Sequence, residues 1–288
     1  MISSIENEYL KVSVKASGAE LISIRNKKNN LEYLWQGDPQ YWGRRAPVLF
    51  PIVGKLKNNS FRAEDQTYQL PQHGFARDYH FEKISSDAQS VVYSLKSSEE
   101  TLKSYPYEFE LRIAYTLINN RLEVKYEVIN TGGKQMWFSI GGHPAFNCPL
   151  EPQEKFNNYY LEFEHTENAD THLISEGLLN GQTEGSLKNV KKLMLNEQVF
   201  AKDALIYKGL KSSYVSLKSD SSSASVTFDF KGFPYLGIWS KPGPFVCIEP
   251  WYGHADTTNF EGEIRDKEGI LSLKKGQEFS CMYGIEIK

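Results

Sequence analysis

Residues 107–130 alternate apolar and polar side chains with a period of two, and the alternation breaks only at Asn119 and Asn120. This pattern is typical of a long antiparallel hairpin that buries one face. Shorter segments with the same alternation are 9–14 with 20–25, 213–218 with 224–230, and a final one at 279–287. Because no long amphipathic helices separate these strands, the sequence disfavours a doubly wound α/β fold and predicts a large antiparallel all-β sandwich.

The rest of the chain carries few signals for helices or for a second domain. Short helical turns are predicted at 101–105 and 196–202. The polar stretch 165–195 has no regular pattern, so we interpret it as a long surface excursion and not as a linker. Since the composition does not shift along the chain and no repeat is found, residues 1–288 are expected to form a single domain.

The charge balance limits the kinds of partner. The chain has 33 Lys and Arg against 36 Asp and Glu, a formal net charge of −3. It therefore lacks the excess of positive charge with which proteins hold nucleic acid or polyphosphate. We expect a small-molecule ligand and no nucleic acid, although a small anion held by two or three local cations stays compatible with this balance.

Membrane and metal signals are absent from the sequence. The first residues do not combine a basic segment with an apolar one, as a signal peptide would. The most apolar stretch, 46–54, is short and contains two prolines, so it is not expected to cross a bilayer. Cys148, Cys247 and Cys281 lie far apart without CxxC or Cys–His spacing, which favours reduced thiols in a cytoplasmic protein over a disulfide framework or a zinc site.

Three short Gly- and Pro-rich segments contain rare reactive side chains. They are QHGFARD (72–78) with His73 and Arg77, GGHPAFN (141–147) with His143, and CIEPWYGHAD (247–256) with Glu249. Glu249 follows an apolar strand, where a buried carboxylate is costly unless it is paired or lines a cavity. Taken singly, His73 is more typical of a structural turn histidine than of a functional one, and the Gly141–Gly142 pair is typical of a bulge or a close strand approach.

One carboxylate and two imidazoles provide general acid–base chemistry without a nucleophile or a metal. Motifs for acyl transfer, for nucleotide binding and for zinc proteolysis are missing from the sequence. Acid–base chemistry on a polar, neutral or mildly anionic substrate is what the reactive residues favour.

Read together, five segments resemble the aldose 1-epimerases (mutarotases), in particular their LacX-like branch. They are GRRAPVLFPIVGKLK, QHGFARD, GGHPAFN, KDALIYK and CIEPWYG, in that order along essentially the whole chain. The resemblance implies a β-supersandwich of the galactose mutarotase-like type with a sugar cleft across one sheet. It also implies a cytoplasmic isomerase of carbohydrate metabolism that binds a hexose, needs no cofactor, and acts as a monomer or homodimer.

The same resemblance assigns roles to individual residues. Glu249 stands where the family has the base that takes the proton of the anomeric hydroxyl. His143 matches the histidine that protonates the ring oxygen, and His73 the histidine that binds and polarises the sugar. Asp203, in KDALIY, is the candidate for the aspartate that holds sugar hydroxyls.

The sequence departs from the galactose-type pattern among its cations. Lys55, with Lys57, stands where those enzymes place an arginine, and a lysine is a point donor and not a bidentate fork. Arg44 and Arg45, together with Arg77, either grip a phosphate as in hexose-6-phosphate mutarotases or pair with surface carboxylates. Two tryptophans allow two interpretations as well, because Trp239 and Trp251 could stack on a sugar or pack in the core.

Two other functions remain open at this point. A glycoside hydrolase would use Glu249 with Asp203 or Asp256 as a pair of carboxylates about 5–9.5 Å apart. A sugar-binding or sensor protein of the same fold would keep the cleft without turnover. Aldose 1-epimerase activity is the leading hypothesis, since both the acid and the base are present.

Overall fold

The computed structural model describes residues 1–288 and is built mainly of β-strands. The strands are β1 (Ile2–Glu6), β2 (Leu10–Lys15), β3 (Glu20–Asn26), β4 (Val48–Leu49), β5 (Ser60–Ala63), β6 (Gln66–Gln69), β7 (Glu82–Ser86), β8 (Ser90–Lys96), β9 (Phe109–Ile118), β10 (Arg121–Asn130), β11 (Met136–Phe138), β12 (Ile140–Gly142), β13 (Ala145–Asn147), β14 (Tyr159–Ser175), β15 (Leu178–Met194), β16 (Leu205–Lys208), β17 (Tyr214–Ser219), β18 (Val226–Asp229), β19 (Tyr235–Trp239), β20 (Phe245–Tyr252), β21 (Leu271–Leu273) and β22 (Glu278–Ile287).

Helices are few and short. The α-helix α1 is Glu99–Ser104, and 3-10 helices lie at Lys57–Asn59, Ala76–Asp78, Phe156–Asn158, Glu197–Phe200 and Ile264–Asp266. The predicted helical turns near residues 101 and 197 are thus confirmed. No helix of the structure combines the length and the apolar character needed to span a bilayer.

Two antiparallel sheets form the body of the fold. The larger has nine strands in the order β15-β14-β17-β18-β22-β10-β9-β8-β7, and the smaller has the order β16-β19-β20-β12-β4, with β13 also paired to β20. The two sheets pack face to face, since a Cβ at Gly142 in β12 would lie 3.0 Å from the Tyr126 hydroxyl and 3.1 Å from the Tyr283 ring. The predicted large antiparallel all-β sandwich is confirmed.

The long hairpin predicted from the alternating pattern is β9 and β10. Ile118 pairs with Arg121, so Asn119 and Asn120 form a two-residue turn. Asn119 has a φ of 52°, a left-handed conformation that asparagine adopts more readily than most residues. The shorter predicted pairs are β2 with β3 and β17 with β18, and the predicted last strand is β22.

The polar stretch 165–195 is more regular than expected. It lies in the hairpin of β14 and β15, two strands of 17 residues each, and few of its side chains are buried. The ladder between these strands has four register shifts. Such shifts break the alternation of apolar and polar residues, which is why the pattern did not predict strands here.

One large core joins the two sheets. It contains 65 buried residues and runs from Ile5 to Ile287. Strand β20 contributes Val246 and Ile248 to this core, while Phe245, Cys247 and Trp251 belong to two small separate clusters. The central strand of the smaller sheet therefore has a second face outside the main core, and Glu249 lies on it.

Candidate functional site

Glu249 sits on β20 among apolar neighbours. Side chains alternate along a strand, so residues 245, 247, 249 and 251 share one face. Glu249 is 2% exposed, and its neighbours on that face are Cys247 and Trp251. A carboxylate in such surroundings costs free energy unless the site uses it, which is the expectation that the sequence raised.

Two glycines make room for the indole of Trp251 beside this carboxylate. Gly237 in β19 and Gly141 in β12 pair with β20 from its two sides. A Cβ at Gly237 would lie 2.5 Å from the indole, and one at Gly141 would lie 2.7 Å from it. The indole therefore lies flat across its neighbouring strands, and packing accounts for Trp251. The close strand approach considered for Gly141 is confirmed.

His143 is brought to Glu249 by two short strands. Strand β12 ends at Gly142 and β13 begins at Ala145, and both pair with β20, so the turn between them lies over that strand. His143 Nε2 is 3.2 Å from Glu249 Oε2. The Trp42 ring stacks on the imidazole, with centroids 4.7 Å apart and planes inclined by 26°.

Burial favours the uncharged form of both groups. It raises the pKa of Glu249 well above the usual value, an effect that the indole of Trp251 opposes and the charge of Asp203 reinforces. Burial also lowers the pKa of His143 to about 3, and the positive charges of Arg77 and Arg44 act in the same direction. Both shifts favour a carboxylic acid at Glu249 beside a neutral imidazole at His143, a pair with one acidic proton.

His73 lies on a loop, and its hydrogen bonds to Gly54 determine which ring nitrogen carries the proton. Its backbone N–H donates to the Gly54 carbonyl at 2.8 Å, and the Gly54 N–H donates to His73 Nδ1 at 3.1 Å. Because Nδ1 accepts, the proton of the neutral ring is on Nε2. The rings of His73 and His143 lie 5.7 Å apart. His73 thus presents a hydrogen-bond donor beside the acid–base pair.

A buried ion pair holds the loop that fixes His73. Gly54 has a φ of +76°, and a Cβ there would lie 2.5 Å from the backbone of Ala255. Next to Ala255, Asp256 accepts a hydrogen bond from the Lys57 N–H at 2.9 Å and lies 2.8 Å from Lys267 Nζ. The side chains of Asp256 and Lys267 are each 2% exposed. Asp256 therefore contacts Lys267 and the loop, and it is not paired with Glu249.

The arginines lie near the two histidines but already have partners. Arg44 Nη2 donates to Asp78 Oδ1 at 2.9 Å, and Arg77 Nη2 donates to the Gln72 carbonyl at 2.6 Å. Arg77 Nε also lies 3.8 Å from Asp78. Burial, followed by the charges of His143, Arg77 and Arg44, lowers the pKa of His73.

Arg45 is held mainly through its backbone. Its N–H donates to Glu20 at 2.8 Å and its carbonyl accepts from Ala145 at 2.8 Å. The Nε atoms of Arg45 and Arg77 are buried and have no hydrogen-bond partner. The alternative that arginines pair with surface carboxylates thus describes Arg44 and not Arg45.

The remaining candidates from the sequence are Trp239, Asp203 and Lys55. The Trp239 ring meets the His143 ring edge to face at 5.9 Å and also packs on Phe245, so both interpretations of Trp239 fit. Asp203 is exposed, has a φ of 82°, and lines a cavity of about 350 Å³. Lys55 Nζ donates to the Glu176 carbonyl at 2.9 Å, at the tip of the β14–β15 hairpin.

Two neighbours of the His143–Glu249 pair were not found from the sequence. Trp42 covers His143, and Cys247 lies on β20 within 4.8 Å of both members of the pair. The position of Cys247 two residues before Glu249 on one strand was an available signal. Trp42 offered none, because its contact with His143 depends on how the loop before β4 folds.

Comparisons with known proteins agree over the length of the chain. A sequence profile described as aldose 1-epimerase matches residues 1–272. The chromosomal protein LacX of Lactococcus lactis subsp. lactis is 40% identical over an alignment of 298 residues, which covers 100% of this chain and 99% of LacX.

Solved structures show the same likeness. A galactose mutarotase related enzyme from Lactobacillus acidophilus is 36% identical with a TM-score of 0.96, covering 100% of this chain and 97% of that one. A galactose mutarotase-like protein from Lactobacillus casei ATCC 334 is 33% identical with a TM-score of 0.94, covering 100% of both chains. The aligned regions therefore span the whole site described above.

Proposed function

The chain belongs to the aldose 1-epimerase family, and we propose that it interconverts the α and β anomers of a hexose by acid–base opening and closing of the ring. The observation that carries this proposal is the buried pair in which His143 Nε2 lies 3.2 Å from Glu249 Oε2. Ring opening needs such a pair, because one proton leaves O1 while another reaches O5.

The steps balance without a cofactor. The Glu249 carboxylate takes the proton of O1, the electrons of that bond form the C1–O1 double bond, and the C1–O5 bond breaks. The imidazolium of His143 supplies a proton to O5. The aldehyde rotates about C1–C2, and the reverse steps close the ring on the other face of C1. Each group returns to its starting state.

The reactive charges arise from the proton that the resting pair shares. Transfer of this proton from Glu249 to His143 gives a carboxylate and an imidazolium. Glu249 Oε2 has no hydrogen-bond partner within the protein, so it is free to accept one from a sugar hydroxyl, and such bonds stabilise a carboxylate. The Nε2–H of His73 is the donor that would bind a sugar oxygen beside the pair.

This protonation scheme predicts an unusual pH dependence. Since the pKa of His143 is lowered to about 3, a second proton enters the pair only near that pH and removes the base. At higher pH the pair keeps its one proton until the pH passes the raised pKa of Glu249. We expect kcat/KM to stay level as the pH falls through about 6.5, the ordinary value for histidine.

To test this, kcat/KM is measured by NMR exchange at each pH, with the spontaneous rate subtracted. The pH dependence of kcat/KM reports the pKa values of the free enzyme. A tenfold fall centred near the ordinary histidine value would contradict the scheme.

We propose an unphosphorylated hexose as the substrate. Arg44 and Arg77, the cations whose charges reach both histidines, are partnered by Asp78 and by the Gln72 carbonyl. Asp78 offsets much of the positive charge that a phosphate would need. Descriptions of the solved relatives as galactose mutarotase-related support the same choice.

A hexose 6-phosphate is the second candidate. One observation favours it, namely that the buried Nε atoms of Arg45 and Arg77 lack hydrogen-bond partners. Glycoside hydrolysis has less support, because the side chain that lies 3.2 Å from Glu249 is an imidazole, while Asp256 is engaged by Lys267.

Anomer exchange of fresh α-glucose and α-galactose, measured beside their 6-phosphates by NMR or polarimetry, tests the proposal. We expect acceleration of the free hexoses over the spontaneous rate. Acceleration of the phosphates alone would transfer the assignment to the second candidate. No acceleration of any sugar, with sugar binding retained, would make the protein a sugar-binding or sensor protein.

We further propose that residues 1–288 act as one domain in the cytoplasm. The large core shared by both sheets supports the first statement. The free, buried thiols of Cys148, Cys247 and Cys281 support the second, since a reducing compartment keeps thiols unpaired.

A further inference from the structure

The thiol of Cys247 lies beside the acid–base pair and has no part in the mechanism above. Three atoms that could bind a metal ion lie within 4.8 Å of one another, one each from His143, Cys247 and Glu249. All three residues are buried. Cys247 otherwise packs with Trp35 and Phe245 in a small apolar cluster. Thiol, imidazole and carboxylate thus converge on one point next to the proposed sugar position.

Two polar atoms of this trio have no partner within the protein. Glu249 Oε2 and His143 Nδ1 are buried and have no hydrogen-bond partner within the protein. A buried acceptor without a partner is costly. A bound cation would satisfy the carboxylate and draw the other two donors toward it.

The donor set selects the type of cation. Thiolate, imidazole and one carboxylate suit zinc, whereas magnesium and calcium prefer oxygen ligands. Zinc sites with three protein ligands leave a fourth tetrahedral position open, and bonds of about 2.0–2.3 Å place neighbouring ligands about 3.3–3.8 Å apart. Donors that lie within 4.8 Å of one another need to approach by at most about 1–1.5 Å to reach that spacing.

We propose that His143, Cys247 and Glu249 bind a zinc ion, and that this ion inhibits the protein by occupying its acid and its base. The thiol proton and the proton shared by the pair are released to solvent on binding. Zinc then holds the lone pairs that would accept the proton of O1 and carry the proton for O5, so zinc and sugar compete. The zinc site itself requires only the three donors, whereas its inhibitory role rests on the proposed function.

The sequence could not disclose this site by spacing. Cys247 and Glu249 are neighbours on one strand, but His143 comes from the turn that sheet pairing brings over β20. Zinc motifs recognised by short intervals contain no such arrangement.

The test uses the intact protein in a buffer free of chelators and thiols. Cobalt(II) serves as a spectroscopic probe, since its bond to a thiolate gives a charge-transfer band. We expect this band in the wild type, about one zinc bound per chain, a higher Tm with zinc, and anomer exchange that zinc abolishes and a chelator restores.

The decisive variants are Cys247→Ala and, for a smaller change in shape, Cys247→Ser. Both variants should keep basal anomer exchange and lose the cobalt band. Both should also bind zinc at least about tenfold more weakly, because changes to residues that only support a metal ligand already weaken binding by about 10–100-fold. Cys281→Ala is the matched control, because Cys281 is a buried thiol of β22 outside the trio, and it should respond as the wild type does.

Wild-type protein without a cobalt band or a zinc-dependent Tm would overturn the inference, as would a Cys247→Ala variant with unchanged zinc affinity. Zinc binding without any anomer exchange in the metal-free protein would confirm the zinc site, remove its inhibitory role and reject the proposed function. The two proposals are thereby tested separately.

Discussion

Glu249→Gln is expected to lower the rate of anomer exchange by about 10²–10⁴-fold, the usual contribution of general acid–base catalysis. The amide keeps the shape of the carboxylate but cannot take the proton of O1. NMR exchange at saturating sugar measures the loss. Glu261→Gln is the control, because the Glu261 side chain is 83% exposed and its loss should not change the rate. Wild-type turnover in Glu249→Gln would remove this residue from the mechanism.

The same substitution should not weaken the fold. Burial raises the pKa of Glu249 above its usual 4.5, so above that pH the unfolded chain releases a proton that the native protein keeps. This difference favours unfolding more as the pH rises, and glutamine has no such titration. The free energy of unfolding of Glu249→Gln minus that of the wild type should therefore increase from acid to neutral pH. Urea unfolding of both proteins at several pH values measures this difference. The opposite trend would mean that the native carboxylate is charged and stabilised.

The fold could be predicted where side chains alternate regularly. The hairpin of β9 and β10 followed directly from its period of two and from the asparagine turn. The hairpin of β14 and β15 could not be predicted, because its register shifts break that period and few of its side chains are buried. Strand prediction from one sequence thus depends on a buried face, which this second hairpin largely lacks.

The centre of the site could also be predicted, whereas its surroundings could not. Glu249, His143 and His73 were identified by their unusual local sequence, and the structure brings them together. The stacking of Trp42 on His143 and the partnering of Arg44 by Asp78 join residues that lie 101 and 34 positions apart (143 − 42 and 78 − 44). Such contacts arise from loop packing, for which the sequence contains no periodic signal.

His143→Asn is expected to lower anomer exchange by a similar factor of about 10²–10⁴. Asparagine retains hydrogen-bonding capacity but cannot carry the proton that O5 receives. The control is His165→Asn, because the His165 side chain is 55% exposed and lies outside the site. Urea unfolding of both variants separates lost chemistry from the lost packing against Trp42. Exchange at the wild-type rate in His143→Asn would assign the acid to another group.

Combining His143→Asn with Glu249→Gln provides the sharper test of the mechanism. In the proposed scheme a single acidic proton serves both groups, which lie 3.2 Å apart. Each proton transfer to the sugar then requires the other group in the complementary state. Removal of either group therefore disables both transfers, so the double variant should be no slower than the slower single variant. Residues that act as a unit show this kind of non-additivity. If the losses multiply instead, Glu249 and His143 act independently and the shared-proton scheme is wrong, even though each residue contributes to the rate.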